Sequence, residues 1–144
     1  MVVLNVLVPS RARDVLLEIA STGAYRPSWS SEILARLKEV GVPATVTGPD
    51  GPRDHDAVHV GTLHRFKGLE YQRMILAGIC DGVIPGAHAV EFRVSDPLRY
   101  QREVKRAWSL LFVAATRARD SLVISWHGKP SVFVSFAGNK LPKR

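Results

Sequence analysis

The segment between residues 61 and 71 carries the densest set of polar and charged side chains in the sequence. Thr62, His64, Lys67 and Glu70 supply a hydroxyl, an imidazole, an ammonium and a carboxylate, and Gly68 exposes the backbone beside them. Together these groups make a candidate site for a polar ligand. The alternative is a polar connection between a strand and a helix, in which Glu70 pairs with Lys67 and does nothing else.

A pair of arginines forms the second candidate. The apolar run of residues 110–115 is followed directly by Thr116, Arg117, Ala118 and Arg119. An arginine at the end of a rigid, packed helix is held in place, and its planar fork suits a phosphate group, as in an arginine finger. The alternative is a helix C-terminus balanced by cationic side chains, an effect worth ~0.3–1 kcal/mol.

Several familiar active-site patterns are missing from the 144 residues. The sequence has no G-x4-G-K-[ST] phosphate loop, no strand that ends in an Asp-Glu pair for magnesium, and no G-x-S-x-G or H-E-x-x-H motif. The single cysteine, Cys80, has no partner for a disulfide or a zinc site and is expected to be a small buried residue. A complete enzyme site is therefore not present in this sequence, and no metal site is expected.

Length and composition predict one folded domain. The chain has 144 residues, of which 46% are hydrophobic and 23% charged, which excludes wholesale disorder and a rod-like coiled coil. No apolar run reaches the roughly 20 residues of a membrane helix, and the N-terminus does not resemble a signal peptide. We expect a cytoplasmic protein with no membrane partner.

Positive charge is concentrated in the second half of the chain. The net charge is +7, and residues 73–144 hold twelve basic against five acidic side chains, whereas residues 1–72 are balanced. This asymmetry indicates either a solvated basic face or a surface for a polyanion.

Hydrophobic periodicity predicts an alternation of strands and helices. Ser30 is the expected cap of a helix with Ile33, Leu34, Leu37 and Val40 on one face, and a long helix is expected from Pro97 to about Thr116, with a deeply buried later half. The other predicted elements are strands over Val2–Val8, Val42–Thr47, Ala57–Gly61, Arg73–Ile79 and Leu122–Trp126, and a helix with Ala12, Val15, Leu16 and Ile19 on one face.

This alternation favours an α/β fold with a mostly parallel sheet that is covered by helices on both faces. Ligands of such sheets bind at the carboxyl ends of the strands, which is where residues 62–70 are expected. The connection from Thr47 to Ala57 is too short for a crossover helix. The strands on either side of it are therefore expected to be antiparallel or not adjacent.

Two motifs resemble those of the superfamily 1 helicases related to UvrD, PcrA and Rep. Residues 62–71 (TLHRFKGLEY), followed by a strand and DGVIP, resemble motif V, and residues 111–119 (LFVAATRAR), followed by a strand, resemble motif VI. Both are long and occur in the order of the family. The resemblance covers roughly residues 3–136 and is weakest between 9 and 30.

The resemblance implies a RecA-like second motor domain over residues 1–137. The basic tail at 138–144 is expected to be disordered, as chain termini often are. ATP would lie in the cleft between this domain and a separate N-terminal RecA-like domain. Arg117 would act catalytically on the γ-phosphate, and Glu70 and Gly68 would contact the nucleotide. The DNA-binding residues would be Thr62, His64 and Lys67, on single-stranded or duplex DNA.

The sequence also departs from the family. The phosphate loop, the acidic pair that holds Mg²⁺ and the arginine of motif IV have no match, and Arg106–Ser109 replaces the usual acidic and paired basic residues before motif VI. A large insertion found in many members is reduced to the loop around residues 48–56. We therefore expect the C-terminal half of a 3′–5′ DNA helicase that is inactive alone, with ATP and Mg²⁺ held mainly by the N-terminal domain.

Two other interpretations remain open at this stage. The chain is also consistent with a stand-alone nucleic-acid-binding or regulatory module that lacks ATPase activity, and with a folded remnant that retains no activity.

Overall fold

A computed structural model describes residues 2–5, 29–51, 54 and 56–135. The predicted helix around residues 12–19 and the tail at 138–144 lie outside the described residues. Within the described part of the chain, no helix is both long and apolar enough to cross a membrane.

The described residues form five strands and four helices, with one 3₁₀ turn between the third and fourth strands. The strands are β1 (Val2–Asn5), β2 (Ala44–Val46), β3 (Val58–Gly61), β4 (Tyr71–Ala77) and β5 (Ala118–Ile124). The helices are α1 (Trp29–Glu39), α2 (Ala87–Ser95), α3 (Pro97–Ala115) and α4 (Val132–Ser135), and the 3₁₀ turn is Leu63–Phe66.

The strands form one mixed sheet in the order β2-β3-β1-β4-β5. β2 pairs with β3, and β4 with β5, in parallel, but β1 lies between β3 and β4 and is antiparallel to both. The α/β class is confirmed, whereas the expected mostly parallel sheet is not. The direction of a strand within a sheet depends on pairing between distant segments, which hydrophobic periodicity does not encode.

The connection between β2 and β3 contradicts the sequence prediction. The two strands are adjacent and parallel, with Ala44 opposite Val58 and Val46 opposite Val60. Both strands are very short, and the described part of their connection contains a bridge between Gly48 and Gly51. A connection as short as residues 47–57 is therefore enough to join two parallel strands of this length.

Helices cover both faces of the sheet, as predicted. On one face α1 buries Trp29, Ile33 and Leu37 against β3 and β4. On the other face α3 and the 3₁₀ turn pack against β4. Neighbouring residues of β4 serve opposite faces, since Ile75 and Ala77 belong to the first cluster and Met74 and Leu76 to the second.

The long helix α3 has the predicted bounds to within one residue. Pro97 occupies its first turn, and the Asp96 carboxylate accepts a hydrogen bond from Arg99 N at 3.0 Å. Its later half is not deeply buried, contrary to the prediction. Leu111 and Ala114 are buried, but Phe112 is 58% exposed and Val113 37%, because a helix on the outside of a sheet has only one covered side.

Helix α2 has no counterpart among the predicted elements, and α1 begins slightly earlier than predicted. α2 buries only Ala89, and Gly86, which precedes its first residue, provides no side-chain cap, so its sequence carries neither of the usual helix signals. Ser30, the expected cap of α1, is the second residue of that helix.

Candidate functional site

The segment that joins β3 to β4 is anchored by two buried side chains. Leu63 and Phe66, both in the 3₁₀ turn, are 2% and 0% exposed. Gly61, at the end of β3, leaves space for the Phe66 ring, since a Cβ atom at this position would lie 3.0 Å from Phe66 Cε2. These contacts fix the backbone, so that the side chains between the anchors point outward.

The predicted ligand residues of this segment are at the surface. Thr62, His64, Lys67 and Glu70 are all exposed, and Gly68 has a φ of +83°, which favours glycine. Arg65 is a further exposed cation on the same turn, which sequence reasoning did not select. The turn therefore presents polar groups without using them in the core.

Tyr71 closes the segment at the start of β4. Its ring is buried and packs edge-to-face on Phe66, with 5.4 Å between the ring centroids. Burial raises the pKa of Tyr71 to about 12, so the phenol stays neutral. Tyr71 thus acts as an anchor and not as a surface group.

The C-terminus of α3 holds the second candidate group. The Thr116 hydroxyl donates to the Val113 carbonyl at 2.9 Å, and Arg117 Nε donates to the same carbonyl at 3.2 Å. Arg117 N donates to the Ala114 carbonyl at 3.0 Å. The half-buried Arg117 side chain is therefore tied to the last turn of the helix, and its two terminal nitrogens have no hydrogen-bond partner among the described residues.

One backbone hydrogen bond joins the two candidate segments. Tyr71 N donates to the Arg117 carbonyl at 2.9 Å, where β4 and β5 begin their parallel pairing. Tyr71 lies opposite Ala118 in that pairing. Residues 70–71 and 117–119, which are far apart in sequence, thus lie side by side at one edge of the fold.

Arg119 differs from Arg117 in its contacts. Its Nε and Nη2 atoms donate to the two carboxylate oxygens of Asp120 at 2.8 and 3.3 Å. These hydrogen bonds lower the pKa of Asp120 and raise that of Arg119. Asp120 neutralises one of the two guanidinium groups, and Arg117 keeps its terminal donors available.

A cavity of about 370 Å³ opens beside the 3₁₀ turn. Its polar lining consists of His64, His88, Glu103 and Arg106, and its apolar walls come from the 83–85 segment and from α3. Sequence reasoning did not select the last three as site residues. His88 lies on α2, and Glu103 and Arg106 lie on α3. In the sequence their spacing is that of ordinary surface residues of a helix, and α2 was not predicted.

Among the described residues, no group of three or more His, Cys, Asp or Glu side chains could hold a metal ion. His55 and His59 are four residues apart, a spacing that suits metal ligands on a helix, but His59 lies buried in β3, where its Nε2 contacts the Asp54 carbonyl. Cys80 is buried as expected, and its Sγ accepts a hydrogen bond from His127 N.

Comparison with known protein families identifies a helicase domain family. The model of the UvrD-like helicase C-terminal domain matches residues 44–129, more than half of the chain. This range includes both candidate segments and the backbone hydrogen bond that joins them.

Three curated relatives each match about half of the chain. ATP-dependent DNA helicase UvrD2 of Mycobacterium tuberculosis is 39% identical over 70 residues, 48% of this chain and 9% of the relative. ATP-dependent DNA helicase Rep of Buchnera aphidicola is 30% identical over 71 residues, 49% of this chain and 10% of the relative. DNA helicase II of Haemophilus influenzae is 35% identical over 69 residues, which are 48% of this chain and 8% of the relative. The matched segment spans about a tenth of the length of these relatives.

Proposed function

The chain belongs to the UvrD-like helicase C-terminal domain family, and we propose that its residues 1–137 form the second, RecA-like motor domain of an ATP-dependent 3′–5′ DNA helicase. In this proposal the domain completes an ATP site whose main part lies in an N-terminal RecA-like domain. It also supplies part of the track for single-stranded DNA. In this proposal the motor acts in the cytoplasm.

The observation that carries the proposal is the hydrogen bond from Tyr71 N to the Arg117 carbonyl. It ties the polar segment after β3 to the arginine after α3, so a ligand at this edge could contact both. In this proposal a change at one segment reaches the other through this hydrogen bond and the β4–β5 pairing that follows it. A motor that couples nucleotide to DNA requires a connection of this kind.

Arg117 is the proposed arginine finger. Its Nε is anchored on the Val113 carbonyl and its terminal nitrogens are available, which suits a group that must reach a phosphate held by another domain. An arginine finger increases the rate of phosphoryl transfer by about 10³–10⁵. Glu70 and Gly68 would contact the nucleotide from the adjacent segment.

Thr62, His64 and Lys67 are the proposed DNA contacts. All three are exposed on one anchored turn, and they offer a hydroxyl, an imidazole and an ammonium group. The ammonium of Lys67 can neutralise a phosphate, and the His64 ring can stack on a base. The buried Leu63 and Phe66 hold these side chains in register with the nucleotide edge.

The triphosphate of ATP supplies the free energy of the motor, and this chain contributes only part of its binding site. The 144 residues contain no phosphate loop, so we propose that the N-terminal domain holds the phosphates and Mg²⁺. Arg117 and Glu70 fit a role at the edge of such a site, because Glu70 is exposed and the terminal nitrogens of Arg117 have no hydrogen-bond partner among the described residues. On this basis the chain alone does not turn over ATP.

The test is reconstitution of ATPase activity from separate domains. The 144-residue chain is mixed with an N-terminal motor domain of a UvrD-type helicase, and phosphate release is measured with and without oligothymidylate. We expect turnover only in the mixture, stimulated by DNA. The variant Arg117→Ala should lower it by about 10³-fold or more.

Arg119→Ala is the matched control, because it removes a guanidinium group that is already paired with Asp120 and should lower the rate far less. Robust DNA-stimulated ATPase activity of the 144-residue chain alone would contradict the proposal. So would equal effects of the two arginine variants in the mixture.

The charge distribution favours a second candidate, a nucleic-acid-binding module without ATPase activity. Residues 73–144 carry twelve basic against five acidic side chains, enough to bind a polyanion without a nucleotide. In that case DNA binding would be indifferent to ATP and to the added motor domain. The same mixture, assayed for DNA binding with and without nucleotide, separates the two candidates.

A further inference from the structure

Helix α3 exposes a continuous stripe on the side turned away from the sheet. Residues spaced by three or four positions share one face of a helix, and here every member of the series is exposed. We call this series the outer stripe; it consists of Leu98, Gln101, Arg102, Lys105, Ser109 and Phe112. Leu111 and Ala114, on the opposite side of α3, are buried against the sheet.

The charges of the outer stripe have one sign. Arg102 and Lys105 lie at its centre, and neither forms an ion pair within the described part of the chain. The only acidic residue of α3, Glu103, faces a different flank, where it lines the cavity beside His64. The stripe is therefore positive and has no internal counter-charge.

Large apolar side chains lie at both ends of the stripe. Leu98 is 71% exposed and Phe112 is 58% exposed. Trp108, beside the stripe, is 45% exposed. At 1.5 Å per residue, Leu98 and Phe112 are about 21 Å apart, which corresponds to four turns of a second helix laid along α3.

We propose that the outer stripe is a docking surface for an acidic amphipathic helix of a partner protein. The apolar side chains of such a helix would cover Leu98 and Phe112, and its carboxylates would pair with Arg102 and Lys105. The stripe lies on the opposite side of α3 from the sheet, so this inference does not rest on the proposed motor function.

A protein fits this surface better than a nucleic acid does. Binding of single strands relies on aromatic rings that are free to stack on bases. The Trp108 ring is already packed edge-to-face on Phe133, with 5.2 Å between their centroids, and Phe112 is the one aromatic ring of the stripe, too few to stack successive bases. Exposed aliphatic and aromatic groups around a few cations are typical of protein interfaces.

The probe is a fluorescent helical peptide of about 18 residues, with leucines on one face and glutamates beside them. Its binding to the 144-residue chain is measured by fluorescence anisotropy, against a scrambled peptide of the same composition. We expect the helical peptide to bind more tightly. The double variant Arg102→Glu/Lys105→Glu should weaken it by about tenfold or more.

Lys38→Glu, on the exposed side of α1, is the matched control for charge and should change the affinity by less than about twofold. A peptide with lysines in place of glutamates should bind the double variant and restore the affinity. Circular dichroism checks folding, and Arg102→Gln/Lys105→Gln replaces the double variant if it does not fold.

Three outcomes overturn the proposal. The first is equal binding of the helical and scrambled peptides, and the second is an equal loss with Lys38→Glu. The third is displacement of the peptide by oligothymidylate whose own binding requires Arg102 and Lys105, which would make the stripe a nucleic-acid surface. These readouts do not involve ATP, so they are independent of the reconstitution experiment.

Discussion

The two arginines that follow α3 differ in their contacts, and this difference separates their proposed roles. Arg117 and Arg119 are two positions apart and look equivalent in the sequence. The structure gives Arg119 a bidentate carboxylate partner, Asp120, and gives Arg117 only a carbonyl contact through Nε. A guanidinium group that is already paired with a carboxylate has less to offer a phosphate, so the finger role is proposed for Arg117.

Removal of Arg119 is expected to release the Asp120 carboxylate. In Arg119→Gln the pKa of Asp120 should rise toward its ordinary range, because the hydrogen bonds from Arg119 are the largest cause of its lowered value. Because the folded-state pKa of Asp120 is lowered, its carboxylate stabilises the fold at pH values above its unfolded-state pKa. This stabilisation is lost as the pH falls through the folded-state pKa. Arg119→Gln should therefore not show this loss of stability at acid pH.

Carboxyl carbon NMR between about pH 2 and 7 checks this expectation. Lys129→Gln is the control. Lys129 Nζ lies 2.7 Å from Asp81 Oδ2, and this hydrogen bond lowers the pKa of Asp81. It should shift the titration of Asp81 and leave Asp120 as it was. An unchanged Asp120 titration in Arg119→Gln would show that the pair in the structure does not control it.

Among the secondary-structure elements, the positions of the candidate site residues depend on buried side chains that have no proposed chemical role. The 3₁₀ turn is held by Leu63 and Phe66, and Gly61 gives the Phe66 ring its space. The sequence predicted α3 well, because its 19 residues combine a proline start, a capping aspartate and a clear apolar face. It could not predict α2, which buries one alanine and has no cap.

The tight contact at Gly61 gives a prediction for this element. A methyl group at Gly61 would meet the fully buried Phe66 ring at 3.0 Å and Thr47 Cβ at 3.4 Å. Gly61→Ala should therefore lower the free energy of unfolding by about 1–3 kcal/mol. Urea unfolding measures the change, and amide chemical shifts of residues 62–67 should move because the turn must shift.

Gly48→Ala is the control, since a Cβ atom at this position would have no atom within 4 Å and the φ of Gly48 is not positive. It should change the free energy of unfolding by less than about 1 kcal/mol. Equal losses in the two variants would mean that the Phe66 contact is not what requires a glycine at Gly61.

For the fold as a whole, the sequence predicted the features that depend on local residue patterns. It did not predict the features that depend on the path of the chain between distant elements. The α/β class, the covering of both sheet faces and the membership of the helicase family all follow from local patterns and two motifs. The antiparallel β1 and the parallel β2–β3 pair depend on how loops close. The exposure of Phe112 depends on which side of α3 meets the sheet.

The distribution of positive charge gives a prediction for the entire chain on DNA. Each phosphate of a single strand that is neutralised contributes about −0.7 to the slope of log affinity against log salt. If Lys67 contacts a phosphate, Lys67→Ala should make the slope less steep by about 0.7. Lys38→Ala removes the same charge from α1, on the other face of the sheet, and should leave the slope unchanged.

Anisotropy of a labelled oligothymidylate, titrated at several salt concentrations, measures both slopes. A difference between the slopes of the two variants locates the DNA at the turn between β3 and β4. A nonspecific attraction to the overall positive charge would be weakened equally by the loss of either lysine. Equal shifts would instead mean that net charge alone holds the DNA. In that case Thr62, His64 and Lys67 would lose their proposed role, while the one proposed for Arg117 at the nucleotide would stand.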